Sequence, residues 1–356
     1  MTDISSPEKP PRRIMPILEA AVLIFLLIVP LLTSDFQTII ASRMLILAML
    51  AISFDLCWGY SGIMTFGQAL FFGMAGYVAA LLANNLGFVQ IWGIVPISMA
   101  VGLVGSFLIG WFLLLGKRTP TIIFVALGTL TASYAAERLV AGWQFVGAAN
   151  GMSIWEFMKV GPYELEPGIV FYYIILGLLL AAYLASRWIV RSQFGLVLAG
   201  MRQNEERLAY FGYRVQTYKA LIFSFAGMIA GMAGGLYAFH EGFIGPSSMG
   251  IGLSTYAVLY GLFGGVGTLL GAIFGVGAIE TIAFVLSDID ALKPYWPVIL
   301  GVIMLVVVAY RPTGLMGLVV SERERIGSFG IGGTGKPKDA PLTESQAAKE
   351  DASGPA

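Results

Sequence analysis

Four acids and two arginines stand within or beside the long apolar runs of this chain: Glu19, Asp55, Glu137 and Glu280, with Arg43 and Arg138. A charge kept in hydrocarbon is costly, so each is a candidate for work inside a membrane. A proton-coupled carrier needs such an acid on its pathway, and Asp55 and Glu280 are the two placed for it. Asp55 equally fits a residue at the inner end of a span, bonded to the backbone of a glycine-rich break. Glu137 and Arg138 fall at an outer helix end, where solvent satisfies them, and the single histidine, His240, falls at another. Ser61, Thr65 and Gln68 lie among glycines and offer neutral hydrogen bonds. Those bonds suit a polar solute, or the backbone groups that a broken helix frees.

Other reactive chemistry is sparse. A lone Cys57 excludes an internal disulfide and a zinc cluster, and one histidine argues against a histidine metal site or a catalytic triad. The run from Gly330 to Lys336 imitates a phosphate-binding loop. The position that should offer a hydroxyl to magnesium is Pro337, and no strand precedes or helix follows. This chain is therefore not expected to hydrolyse ATP by itself. No clustered catalytic set is visible in the spans, which argues against an intramembrane enzyme.

The elements that position these groups are membrane helices. Of 356 residues, 57% are hydrophobic and only 12% charged, against about 25% charged in a soluble domain. The mean hydropathy is +0.81. Net charge is zero, so nothing points to nucleic acid. Apolar runs are expected to cross the membrane at about 17–32, 37–58, 91–115, 121–140, 168–190, 220–240 and 296–310, with a third span in the latter part of 59–83 that ends near Ala83 and two more in 254–286. The run at 17–32 lacks a following small-residue cleavage site and reads as an uncleaved span. The expectation is an all-α polytopic membrane protein of about ten transmembrane helices with both termini cytoplasmic. Two of those helices are broken by glycine, near 59–67 and near Gly265. Residues 1–13 form a cytoplasmic segment, 14–317 a single transmembrane domain, and 318–356 a disordered cytoplasmic tail. The polar stretch 141–167 is expected outside, and Gly227, Gly231 and Gly235 give one helix a face that a neighbour can approach closely.

Between the sixth and seventh spans lies the basic stretch Arg187–Lys219, which the positive-inside rule puts in the cytoplasm. Asn204 can cap a helix whose first turn holds Glu205 and Glu206, where the helix dipole favours acids. Leu208 and Phe211 fall on one face and Gly212 is a natural stop. The expected product is a helix of about two turns, roughly 10 Å long, offering a small apolar and charged surface in the cytoplasm. An ordinary cytoplasmic loop that happens to be helical fits the same residues.

Three stretches then resemble one family. They are SFDLCWGYSGIMTFGQALFFGMAGYVAALL at 53–82, the loop and span at 192–238, and the pattern Pro246, Ser254, Gly264, Gly265, Gly267, Thr268 and Gly271. Together they are similar to the membrane subunits of branched-chain amino-acid ABC importers, over about residues 37–317, and to the longer, M-type subunit in particular. The resemblance implies an inner-membrane, multi-pass, non-enzymatic permease. Its partners would be a second related permease, two ATPase subunits and a periplasmic solute-binding protein, besides lipid and a small-molecule solute. It would bind no cofactor, with ATP and magnesium on the ATPases. The helix at 204–211 would be the ATPase-coupling element, through Arg202, Asn204, Glu205, Glu206, Arg207, Leu208, Phe211 and Gly212. The solute route would pass Ser61, Gly62, Thr65, Gly67, Gln68, Phe71, Phe72, Gly264, Gly265 and Gly267. ATP-driven alternating access would shift the glycine-faced helices against their neighbours. Gln68 stands where the family often has His, and urea or short-amide permeases of the same family match 55–60 about as well. An ion-coupled secondary carrier is the rival reading.

Overall fold

The computed structural model describes residues 14–115, 121–289, 295, 298–299, 301–303, 305, 310 and 314–318. The expected N-terminal segment 1–13, Lys117 and Arg118, most of the expected last span and all but the first residue of the expected tail lie outside them.

Within the described residues the fold is almost wholly helical. The helices are α1 (Ile14–Leu32), α2 (Asp35–Asp55), α3 (Gln68–Leu86), α4 (Ile91–Leu114), α5 (Ile122–Gly142) and α6 (Ile169–Arg191). They continue as α7 (Gln193–Gln203), α8 (Glu205–Tyr210), α9 (Val215–Glu241), α10 (Ile251–Gly264) and α11 (Leu269–Asp288). A π-helical turn at Leu56–Tyr60 prolongs α2. Among the described residues seven helices are long and apolar enough to cross a membrane: α2 with its π turn, α3, α4, α5, α6, α9 and α11. The apolar part of α1 and all of α10 are shorter. At 14 residues, α10 spans about 21 Å, less than a hydrocarbon core of about 30 Å.

The most buried of the seven is α9, which packs against α2, α3 and α4, whereas α5 is the most open. The sequence explains the first contact on both sides. Gly227, Gly231 and Gly235 of α9 meet Ser98, Gly102 and Ser106 of α4, a second small-residue stripe with the same four-residue step. A Cβ on Gly231 would fall 2.7 Å from the Gly102 Cα, so the backbones touch because neither residue has a side chain. Ser106 Oγ donates to the Ser224 carbonyl at 3.2 Å and closes the seam. This seam interlocks two helices and does not leave α9 loose against its neighbour. The outward face of α4 is the opposite kind of surface, with Val104, Leu108, Trp111 and Phe112 exposed.

Two regions differ from the expectation. The polar stretch 141–167 is built: β2 (Met158–Val160) and β3 (Tyr163–Leu165) form a hairpin across Gly161 and Pro162. Gly161 has φ +61°, as the first central residue of a tight hairpin turn requires. Lys159 faces Glu164 across the hairpin at 3.1 Å. A second ribbon pairs β1 (Met152–Ser153) with β4 (Phe243–Ile244), tying this loop to the end of α9. The basic stretch is also more ordered than a loop. Helix α6 runs on to Arg191, and α7 follows with Gly195, Leu198 and Met201 buried at three-residue steps.

The interlocked seam sets an expected outcome. Gly231→Val should destabilise the detergent-solubilised protein by about 1–3 kcal/mol through overpacking, read as a fall of several degrees in melting temperature. Gly177→Ala, where an added Cβ meets nothing within 4 Å, should leave the melt unchanged or slightly raised.

Candidate functional site

The π turn Leu56–Tyr60, which leads into the non-helical segment 61–67, meets the break at 265–268 between α10 and α11, at the end of the bundle that carries α7 and α8. Gly59 and Gly267 make the meeting possible. A Cβ on Gly59 would lie 2.8 Å from the Gly267 Cα, and Gly267 itself has φ +82°, a backbone conformation that other residues rarely adopt. Asp55 binds this junction: its Oδ1 accepts the Gly267 N–H at 2.7 Å, and the residue has no solvent exposure. Its backbone partner thus belongs to the other break, not to the one that follows Asp55 in the chain. From the opposite side Arg202, in the last turn of α7, donates from Nη1 to the Gly59 carbonyl. Burial pulls the Arg202 guanidinium below its ordinary pKa, and the neighbouring Asp55 carboxylate opposes that shift. A carboxylate, a guanidinium and two glycine backbones therefore form one node.

The polar residues of the first break bond within the chain. Ser61 donates to the Cys57 carbonyl at 2.7 Å, and Thr65 Oγ1 accepts the Gly67 N–H at 3.1 Å. Gln68 accepts from Ser53 and donates to the Cys57 sulfur, each at 3.3 Å. Phe71 and Phe72 are fully buried, the first edge-on to Phe223 at 5.5 Å and the second beside Tyr237 at 5.1 Å. Gly67, Gly264, Gly265 and Gly267 are buried too. The residues of this segment that keep a partly open surface are Gly62, Met64 and Phe66, alternating with the buried Ser61, Ile63, Thr65 and Gly67. Burial alternates residue by residue here although the path is irregular, with Ser61 near helical dihedrals and Gly62 at φ +74°. Sequence reading missed it because three glycines in nine residues drew attention to flexibility.

The short helix α8 carries Asn204 as its cap, with Oδ1 accepting the Arg207 N–H at 3.0 Å and Glu205 and Glu206 in the first turn. Gly212, at φ +86°, ends it. Lys219, nearly buried on α9, holds Glu205 at 2.5 Å and fastens α8 to the bundle. Leu208 and Phe211 do not share a face. Leu208 turns inward against Gly200, whereas Tyr210 and Phe211 are 89% and 80% exposed. The helix stops at Tyr210, so Phe211 follows the cap and not the helical repeat. Glu206 and Arg207 are exposed beside them.

The other charged groups are also placed. Glu19 pairs with Arg187 and accepts from Tyr183 at 2.8 Å, joining α1 to α6. His240 is buried, with one ring nitrogen 3.0 Å from the Ile39 carbonyl and the other 3.2 Å from Glu241. Arg138 lies over the Tyr134 ring at 5.0 Å. Glu280 accepts from Tyr260, and Arg43 stands 3.8 Å from Glu241. Among the described residues no group of three or more His, Cys, Asp or Glu is arranged to hold a metal ion.

Membrane-length helices locked by small residues, two joined breaks and a short capped helix outside the bundle define a polytopic membrane transport subunit. The chain belongs to the family described as branched-chain amino acid transport system / permease component, whose model matches residues 37–308. It is the permease component of an ABC-type transporter, a multi-pass protein of the inner membrane. Its relatives include the high-affinity branched-chain amino acid transport system permease protein LivM of Escherichia coli strain K12. That protein is 23% identical over 320 residues, covering 83% of this chain and 73% of the relative. The probable branched-chain amino acid transport permease protein LivM of Methanocaldococcus jannaschii is 25% identical, over 75% of this chain and 89% of its own length. The autoinducer 2 import system permease protein LsrC of Enterobacter sp. strain 638 is 31% identical, over 59% of this chain and 63% of that protein. No solved structure matches the chain.

The junction sets the second expected outcome. Asp55→Ala strands a buried N–H and should cost about 1–3 kcal/mol. A double-mutant cycle of Asp55→Asn with Arg202→Gln should show coupling of about 0.5–3 kcal/mol, read from melting of the purified protein. Strictly additive effects would mean that the two groups act independently.

Proposed function

We propose that this chain is the translocation subunit of an ATP-driven importer of branched-chain or related small amino acids. The observation that carries the reading is the path from α8 to the junction. The capped helix α8 presents Tyr210, Phe211, Glu206 and Arg207 outward, and Arg202, two residues before its cap, ends on the Gly59 carbonyl. A push on α8 by a partner therefore reaches the point where both breaks meet without crossing a flexible loop. Partner ATPases carrying ATP and magnesium would supply that push, and this chain would need no cofactor of its own. A second, related permease would complete the path, and a periplasmic protein would deliver the solute.

Orientation follows from charge. The end bearing α7 and α8 holds Arg191, Arg202, Arg207 and Arg214, while the loop between α5 and α6 carries Glu156, Glu164 and Glu166 against Lys159. The positive-inside rule then puts α8 in the cytoplasm, both termini inside, and the two small sheets outside. Ten spans would satisfy this alternation when α1, the α10–α11 pair and the apolar run at 296–310 are counted. Alternating access would proceed by rigid movement of the α4–α9 unit, because its seam is interlocked.

The solute route would follow the two breaks, with the open residues Met64 and Phe66 as well as Gly62 on its wall. Ser61, Thr65, Gln68, Phe71 and Phe72 would shape that wall from behind. A second solute class has its own support in the relatives named for autoinducer 2 import. An amide or urea would use the same architecture.

The test is copurification followed by uptake. Tagged protein from solubilised membranes should bring down two ATPases and a second permease, and vesicles should take up leucine only with ATP. Tyr210→Ala combined with Phe211→Ala should cut ATP-driven uptake about tenfold or more, as loss of buried aromatic anchors does, with the melting temperature unchanged. Uptake without ATP that collapses on dissipating an ion gradient would establish a secondary carrier instead.

A further inference from the structure

A cavity of about 540 Å³ opens between α2, α5, α9, α10 and α11, at the end of the bundle opposite α8. Its wall holds Arg43, Glu137, Glu280 and three tyrosines, Tyr237, Tyr256 and Tyr260, with Leu47, Leu253 and Ala283 as apolar surface. None of these residues belongs to the breaks or to α8. Arg43 lies eight residues into α2 from Asp35, and Glu280 lies eight residues before the end of α11 at Asp288. Both are thus about 12 Å from the same end of the bundle, where Phe36 and Phe284 touch at 6.4 Å.

Both charges border open volume, and the Arg43 side chain is 46% exposed. Neither is spent on a tight internal pair. Among the described residues the one ion-pair partner of Arg43 is Glu241, at 3.8 Å and through Nε alone. The other groups in electrostatic reach of Arg43 are Tyr237, Glu280 and Tyr260. Glu280 accepts one hydrogen bond, from Tyr260, at one of its two oxygens. Glu137 is placed differently. Its carboxylate lies against Gly250, the residue that precedes α10, where the amino end of the helix answers a negative charge. The cavity size fits a small ligand.

We propose that this cavity is a solute-contact site in which Arg43 receives a carboxylate and Glu280 an ammonium, so that it selects a solute carrying both charges. The inference rests on the importer reading and deepens it, since a zwitterionic amino acid meets both groups and a neutral amide or sugar-like solute meets neither. The tyrosine rings and Leu47, Leu253 and Ala283 take the aliphatic side chain.

The experiment uses the complete transporter purified through this chain in lipid nanodiscs, with the solute-binding protein omitted. Three probes compete for binding: L-leucine, leucinamide, which lacks the carboxylate, and 4-methylpentanoate, which lacks the ammonium. Wild type should prefer leucine over both. Arg43→Gln should weaken leucine about tenfold or more and leave leucinamide unchanged, with partial rescue by Arg43→Lys. Glu280→Gln keeps an acceptor for Tyr260 and should weaken leucine while leaving 4-methylpentanoate unchanged. Unchanged leucine affinity in both variants overturns the proposal, and so does equal weakening of all three probes, which marks a structural role. Leucine uptake by a complete transporter whose nanodisc form binds none of the probes overturns the clamp alone. A complete transporter that imports no amino acid overturns the importer reading and the clamp with it.

Discussion

The architecture depends on a contact between two backbones that have left α-helical geometry, one in a π turn and one in a break. Gly59 and Gly267 approach closely enough that a Cβ on either side would separate them. Such a contact buries peptide groups outside regular α-helix, and each must find a partner within the protein. Asp55 accepts from Gly267 and Arg202 donates to the Gly59 carbonyl. Each interaction satisfies a backbone group, and each also places a charge near its opposite. The consequence is mechanical as well as energetic. Arg202 belongs to α7, just outside the membrane-length helices, so the node is held from both sides of the boundary between the bundle and the α7–α8 loop.

The seam between α4 and α9 has the contrary character. Here rigidity comes from the absence of side chains: Ser98, Gly102 and Ser106 of one helix lie in register with Gly227, Gly231 and Gly235 of the other. Helices in lipid gain little from apolar burial between them, because the surrounding tails are equally apolar, and close backbone contact supplies attraction instead. A stripe of glycines on one helix permits sliding when it faces large side chains. Facing another small-residue stripe, with a serine bonded across, it makes a single body.

The molecule thus has two polar regions at opposite ends of an apolar bundle, and they use charge differently. At the α8 end the Asp55 and Arg202 charges are directed at backbone, which fixes geometry. At the other end Arg43 and Glu280 make few internal bonds and border open volume. The ends are joined through α2, which carries Arg43 near its start and Asp55 at its finish.

Much of this was legible in the residues. Hydropathy placed the long helices to within a few residues, because membrane helices must be continuous and apolar. Asn204, the acid pair after it and Gly212 marked α8, because helix ends follow local rules that need no tertiary partner. Gly227, Gly231 and Gly235 announced a close contact without saying with what. The small-residue stripe of α4 answers that, and only the fold could pair the two. The polar residues of the first break stood open between serving a solute and serving the backbone; they bond within the chain because packing buries Ser61, Thr65 and Gln68. Phe71 and Phe72 are core for the same reason, lying on the buried side of the helix that follows. Tertiary structure alone brought Asp55 to Gly267, 212 residues away, and gathered Arg43, Glu137 and Glu280 around one cavity. The sequence by itself determined what each segment is, since hydrophobicity, capping and glycine content act over a few residues. Which charges meet was decided by packing, since the energy of a charge depends on neighbours that only the folded chain supplies.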